Sequence, residues 1–176
     1  MNFRDLPSTQ KGELGESELD KYLLSKGVIP YAPVPAGAHP FDRLCASSDK
    51  KRLYVAECKT KARRTFYPDT GIDMRHYRDY RHIRETYGMD ILLFFVDESV
   101  MEIYGNSLSE LEKPVEIIDN GRRLNYPMTQ GSIIYFPLMS MTTICNIPVD
   151  VAEKMRVLSR RSYSYPVGTI ELGAAR

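Results

Sequence analysis

Three ionisable residues have the types and spacing that hydrolysis of a phosphodiester would need. Glu57 and Lys59 are separated by one residue in a predicted strand, so their side chains share a face. Asp42 lies fifteen residues before Glu57, across a predicted turn. If the two strands pair, Asp42 and Glu57 converge at one end of the sheet. Two converging carboxylates form a site for a hard divalent cation such as Mg²⁺.

A cation at such a site would take part directly in the hydrolysis of a phosphodiester bond. It lowers the pKa of a bound water and neutralises charge that builds on a phosphate. Lys59 beside it would orient the attacking water or stabilise the pentacovalent phosphorane. In the alternative interpretation, Glu57 and Lys59 form an exposed strand pair and Asp42 caps a turn. Apolar residues on the same faces, Leu53 and Val55 among them, favour the functional interpretation.

The elements that would position these residues follow from hydrophobic periodicity and from glycine and proline breaks. Helices are predicted at 12–27, 71–87 and 149–161. Strands are predicted at 40–47, 52–61, 90–97, 100–104, 115–118 and 132–137. Residues 62–70 are predicted to form a basic connection. This order predicts an α/β fold with a central mixed β-sheet flanked by helices.

The arrangement Pro40-Phe41-Asp42 followed by Glu57-Cys58-Lys59 resembles the PD-(D/E)XK nuclease superfamily. Restriction endonucleases and archaeal Holliday-junction resolvases share that core. The sequence departs from the family pattern at Phe41, because the family proline usually precedes its aspartate directly. That proline takes no part in the chemistry, so the departure affects recognition more than mechanism.

The resemblance implies a restriction-endonuclease-like core and a Mg²⁺-dependent DNA endonuclease, with Mn²⁺ as an expected substitute. It implies that Asp42 and Glu57 bind the metal, that the backbone carbonyl of Cys58 completes the coordination, and that Lys59 assists the water. In many members a glutamate on an N-terminal helix joins the metal site. Glu16, in Gly12-x-x-Gly15-Glu16, is similar to that feature, although acidic residues are favoured near a helix N-terminus in any case.

The basic residues are concentrated around this motif. Residues 41–87 contain 12 Lys and Arg and 7 Asp and Glu, a net +5, whereas the whole chain has a net charge of +1. Such a surface suits DNA phosphates, but a solvated face would look the same. The predicted nucleic-acid-binding residues are Lys61, Arg63, Arg64, Arg75, Arg78 and His76. For the second helix itself, a packed stripe that includes Tyr80 and Tyr87 is the favoured interpretation.

Composition limits the other possibilities. The chain has 176 residues, 43% of them hydrophobic, and no run long enough to cross a membrane. Its first residues lack an apolar signal core, and its three cysteines have no paired spacing. These features predict a cytoplasmic protein without disulfides.

We expect a single nuclease-like domain over 1–176, with the core motif at about 12–97 and additional strands and a C-terminal helix in 98–176. A homodimer is compatible with this interpretation. Two other functions stay open: a catalytically inactive nucleic-acid-binding or assembly protein on the same fold, and a nuclease that acts on RNA or branched DNA.

Overall fold

The computed structural model describes residues 5–33 and 41–164, with side chains up to residue 160. Pro40, the first residue of the predicted motif, and most of the predicted tail at 162–176 lie outside these ranges. Within them the helices are α1 (Pro7–Ser25), α2 (Met74–Tyr87), α3 (Leu108–Leu111) and α4 (Val149–Ser164). None of the helices described in these ranges is long and apolar enough to span a membrane.

Eleven strands are described in the same part of the chain. They are β1 (Ile29–Tyr31), β2 (Arg43–Ala46), β3 (Leu53–Thr60), β4 (Asp69–Asp73), β5 (Asp90–Asp97), β6 (Glu102–Ser107), β7 (Val115–Asp119), β8 (Arg122–Tyr126), β9 (Met128–Gln130), β10 (Ile133–Pro137) and β11 (Thr142–Asn146). A short 3-10 helix, Leu138–Ser140, precedes β11.

A six-stranded sheet in the order β1-β2-β3-β5-β6-β11 forms the centre of the fold. The β3–β5 pair is parallel and the other pairs are antiparallel, so the sheet is mixed, as the sequence predicts. Strand β5 is nearly all apolar because it is central and buried on both faces. A smaller sheet, β4-β10-β9, and the β7–β8 hairpin lie outside this central sheet.

The two faces of the central sheet carry separate hydrophobic clusters. Helices α1 and α4 pack on one face, where Leu19 and Met155 meet Cys58 and Phe94. Helix α2 packs on the other, where Tyr80 and Ile83 meet Val55 and Leu93. Because side chains alternate along β3, Cys58 faces α1 whereas Val55, Glu57 and Lys59 face α2.

Several sequence predictions are wrong in detail. Residues 71–73 were expected to be helical, but they belong to β4, because Gly71 pairs closely with β10 and α2 begins only at Met74. Helix α1 begins at Pro7, before the expected residue 12, and strand β6 begins at Glu102, after a turn at Met101 with φ of 59°. Tyr87 is 65% exposed because it ends α2 beyond the packed stripe.

Candidate active site

Pairing between β2 and β3 brings Asp42 and Glu57 together. The last paired residues are Arg43 and Ala56, and Asp42 lies one step further, opposite Glu57. The backbone N–H of Asp42 donates to Glu57 Oε2 at 3.1 Å. In return, the N–H of Cys58 donates to Asp42 Oδ2 at 2.8 Å. Each carboxylate is therefore oriented by the backbone of the other strand.

Glu57 is a buried acid whose charge is incompletely balanced. Its residue is only 2% exposed. Burial raises its pKa to about 7, with Lys59 opposing the shift and Asp42 adding to it. The Lys59 ammonium forms an ion pair with Glu57 Oε1. An acid held in this way is typical of functional sites, where stability is given up for reactivity.

Tyr80 completes the surroundings of Glu57. It is 1% exposed on α2, and its hydroxyl hydrogen-bonds to the Glu57 carboxylate. Burial and that carboxylate both raise the pKa of Tyr80, so the phenol stays protonated and acts as the donor. The Lys59 ammonium lies 5.8 Å from the centre of the Tyr80 ring. The sequence places Tyr80 only in the helix stripe, and no local signal marks its contact with Glu57.

Glu16 approaches the pair from α1 but is engaged by another residue. Its carboxylate lies 3.1 Å from Arg43, whose guanidinium also binds Asp20 through two contacts of 2.9 and 3.0 Å. The pKa of Glu16 is raised by burial and by Asp42, while Arg43 lowers it. Arg43 donates in addition to the Asp42 carbonyl at 2.8 Å. Sequence reasoning did not identify Arg43, which is the first residue of β2 and links this strand to α1.

The donor set suits a hard divalent cation. No cluster of three or more His, Cys, Asp or Glu side chains with metal-binding geometry occurs in residues 5–33 and 41–164. Two carboxylates and one carbonyl are nevertheless available. In a strand the N–H and C=O of one residue point to the same side, so the Cys58 carbonyl is directed to the side where its N–H meets Asp42. Carboxylate and carbonyl oxygens are the donors that hard divalent cations prefer.

The basic connection after β3 is held by internal partners. Arg63 donates to Asp97 at 2.8 Å, and Arg64 donates to Asp69 at 2.6 and 2.5 Å. Both aspartates are 0% exposed. Lys61 is half-buried, and its ammonium donates to the Gly71 carbonyl at 3.2 Å. Contact of these three residues with DNA stays a prediction, but the structure gives the two arginines a role within the fold.

Other predicted nucleic-acid-binding residues lie on α2. Arg75 and Arg78 are exposed, and neither forms an ion pair within the described part of the chain. His76 is half-buried, with its ring centre 6.2 Å from that of Tyr80. Burial lowers the pKa of His76, and Lys59 and Arg75 lower it further. The positive charge of Lys59 acts on His76, and a role for His76 at the edge of the candidate site stays a prediction.

Comparison with known proteins supports the fold. No family model and no curated protein matches the sequence. The structure is similar to that of Hjc, a Holliday junction resolvase from the archaeal hyperthermophile Archaeoglobus fulgidus, with a TM-score of 0.50 at 12% identity. The match covers 80% of this chain and 99% of Hjc. At this level of identity the similarity shows the fold alone: the α/β fold with a central mixed sheet flanked by helices, predicted from the sequence, is shared with Hjc.

Proposed function

We propose that this protein is a metal-dependent endonuclease that hydrolyses DNA phosphodiester bonds, with Asp42, Glu57 and Lys59 at its centre. The observation that carries the proposal is the reciprocal pair of hydrogen bonds between Asp42 and the β3 strand, which sets two carboxylates side by side next to a lysine. A purely structural ion pair would need one carboxylate, and the second adds repulsion that raises the pKa of Glu57.

The residues have separate roles in this proposal. Asp42, Glu57 and the Cys58 carbonyl hold Mg²⁺, for which Mn²⁺ would substitute, and Glu16 is an accessory ligand or orienter. A bound divalent cation supplies an activated water and positive charge beside the phosphate. Lys59 orients the attacking water and stabilises charge on the phosphate oxygens. Tyr80 is a positioning residue, because its hydroxyl fixes the Glu57 carboxylate.

Substrate binding is assigned to exposed basic residues. Arg75 and Arg78 contact backbone phosphates, and His76 lines the edge of the site. The fold shared with a Holliday junction resolvase supports branched DNA as the substrate in this proposal. Cleavage of RNA stays the alternative to cleavage of DNA. A homodimer stays a prediction.

The proposal is tested by incubating the protein with linear duplex, single-stranded and four-way-junction DNA, and with RNA, in Mg²⁺ or in EDTA. We expect cleavage of DNA in Mg²⁺, no cleavage in EDTA, and preference for the junction. Binding without cleavage of any substrate in Mg²⁺ or Mn²⁺ would favour the catalytically inactive alternative. Cleavage of RNA alone would show that the protein is a nuclease that acts on RNA.

A further inference from the structure

An exposed aromatic side chain lines a cleft that neither the family resemblance nor the proposed site includes. Phe66 follows the basic connection and is 78% exposed. It lines a cleft of 490 Å³ between residues 63–68 and the turn of the β7–β8 hairpin, where Asp119, Asn120 and Arg122 form the opposite wall. Phe66 is the most exposed large hydrophobic side chain in the described part of the chain, so most of its ring is open to contact by a ligand.

A ladder of alternating rings and guanidinium groups holds this part of the chain in place. The Arg64 guanidinium lies 3.7 Å from the Tyr135 ring centre and 4.1 Å from that of Tyr67. Arg122 lies 5.0 Å from the same Tyr67 ring and donates to the Phe66 carbonyl at 3.2 Å. Both tyrosine rings therefore already contact cations. Phe66 contributes no ring to this ladder, and the ladder fixes its backbone.

The hairpin turn opposite Phe66 offers hydrogen-bonding groups at a fixed position. Asn120 and Gly121 form a two-residue turn with φ values of 47° and 76°, between paired Asp119 and Arg122. Asn120 donates one hydrogen bond to Asp119 Oδ1 at 3.4 Å, and Arg122 donates to Asp119 Oδ2 at 3.0 Å. The Asn120 amide has a second N–H and a carbonyl oxygen that can meet a ligand. A flat ring with hydrogen-bonding edges, such as a nucleobase, matches a cleft that an aromatic ring and an amide line together.

We propose that this cleft receives one unpaired base of a DNA substrate, which stacks on Phe66. The inference rests on the proposed nuclease function and extends it to the substrate class: DNA with a base free to leave the stack, as at a branch or gap. Only a few residues separate Lys59 from Phe66, and an extended chain spans at most about 3.6 Å per residue, so the two positions lie within roughly 25 Å. The cleft is therefore close enough to the candidate active site for one DNA strand to reach both.

Photo-cross-linking tests this contact. The full chain is mixed in EDTA with a duplex that carries a short unpaired run containing 5-iododeoxyuridine, irradiated, and digested for mass spectrometry. We expect the cross-link on the peptide that contains Phe66. Binding of the same DNA, and of the fully paired duplex, is measured for wild type, Phe66→Leu and Phe66→Trp. Tyr87→Leu is the control, since Tyr87 is similarly exposed at the end of α2.

Stacking of one base on an aromatic ring predicts a characteristic pattern. Phe66→Leu should weaken binding of the DNA with unpaired bases about tenfold and leave the paired duplex unchanged, and Phe66→Trp should restore the affinity. Equal affinities for both DNAs in all variants, or a cross-link elsewhere, would overturn the inference and leave the proposed function intact. A wild-type protein that binds neither DNA, and cleaves none, would overturn both.

Discussion

Gly15 of α1 lies against Thr60 of β3 so closely that a Cβ on Gly15 would be 1.9 Å from Thr60 Oγ1 and 3.1 Å from Thr60 Cβ. The helix is therefore seated on the strand that carries Glu57 and Lys59, with no room for a side chain between them. Glu16 follows this contact directly, so its distance from Asp42 depends on it.

Gly15→Ala should lower the free energy of unfolding by about 1–3 kcal/mol, because an added methyl group forces α1 away from β3. Gly12→Ala is the matched control: no atom lies within 4 Å of a Cβ there, so alanine should stabilise the same helix by about 0.5–1 kcal/mol. Urea denaturation measures both. Equal stability of the two variants would show that α1 and β3 are not in contact at Gly15.

Tyr80→Phe should weaken metal binding without unfolding the protein. Loss of the hydroxyl donor raises the pKa of Glu57 further, because that hydrogen bond stabilises the carboxylate. A proton then competes with the metal at higher pH. We expect the midpoint of Mn²⁺ affinity against pH, measured by titration calorimetry, to move upward. Tyr77, on the same helix as Tyr80, donates its hydroxyl hydrogen to Glu112 at the end of α3, so Tyr77→Phe is the control and should leave the midpoint in place. A shared midpoint for wild type and Tyr80→Phe would contradict the positioning role.

Glu57→Gln should stabilise the metal-free protein at pH 8 more than at pH 5. The pKa of Glu57 is raised from 4.5 to about 7 in the folded state, so the folded protein binds the extra proton in that window. Stability from this group is thus present below pH 4.5 and lost as pH rises through 7. Glutamine has no such loss, and the difference between the two pH values should be on the order of 2 kcal/mol. Denaturation in EDTA measures it, with exposed Glu85→Gln as the control. A difference that is equal at both pH values would mean that Glu57 is not a buried acid with a raised pKa.

The arginines near the site should separate into two groups. Arg64→Ala should cost about 3–5 kcal/mol of stability, because buried Asp69 would lose its cationic partner and keep the Tyr126 hydroxyl as a neutral donor. Arg75→Ala combined with Arg78→Ala should leave stability nearly unchanged, since both side chains are exposed.

The Arg75 and Arg78 double variant should instead change the binding of DNA. Loss of two phosphate contacts should reduce the slope of log affinity against log salt by about two in the Arg75 and Arg78 double variant. Lys154→Ala, on α4 at the other face of the sheet, is the control and should keep the slope. A double variant with the wild-type slope would remove α2 from the DNA interface.

Strand periodicity was sufficient to predict that Glu57 and Lys59 share a face and that Asp42 meets them across a turn. The partners of Arg63 and Arg64 could not be predicted in this way. Asp97 is 34 residues from Arg63, and nothing in the local pattern indicates which acid a given arginine will meet. The contact of Tyr80 with Glu57 could not be predicted either, because it joins a helix to a strand and leaves no signal in the local sequence.

Some elements were missed although the sequence carries a signal for them. Asn120-Gly121 is a strong indication of a two-residue hairpin, and it connects β7 to β8, which was not predicted. Only residues 71–73 of β4 were predicted to be helical, because Gly71 and Ile72 fit either pattern, and pairing with β10 decides between them.

The central claim is tested most directly by single-turnover cleavage of DNA in Mg²⁺ by wild type, Asp42→Asn, Glu57→Gln and the exposed control Glu85→Gln. If Asp42 and Glu57 hold the metal, both site variants should lose on the order of a hundredfold or more in rate while the control matches wild type. Circular dichroism on the same samples should show that the fold is retained. A site variant that is folded and cleaves DNA at the wild-type rate in Mg²⁺ would contradict the assignment of the active site.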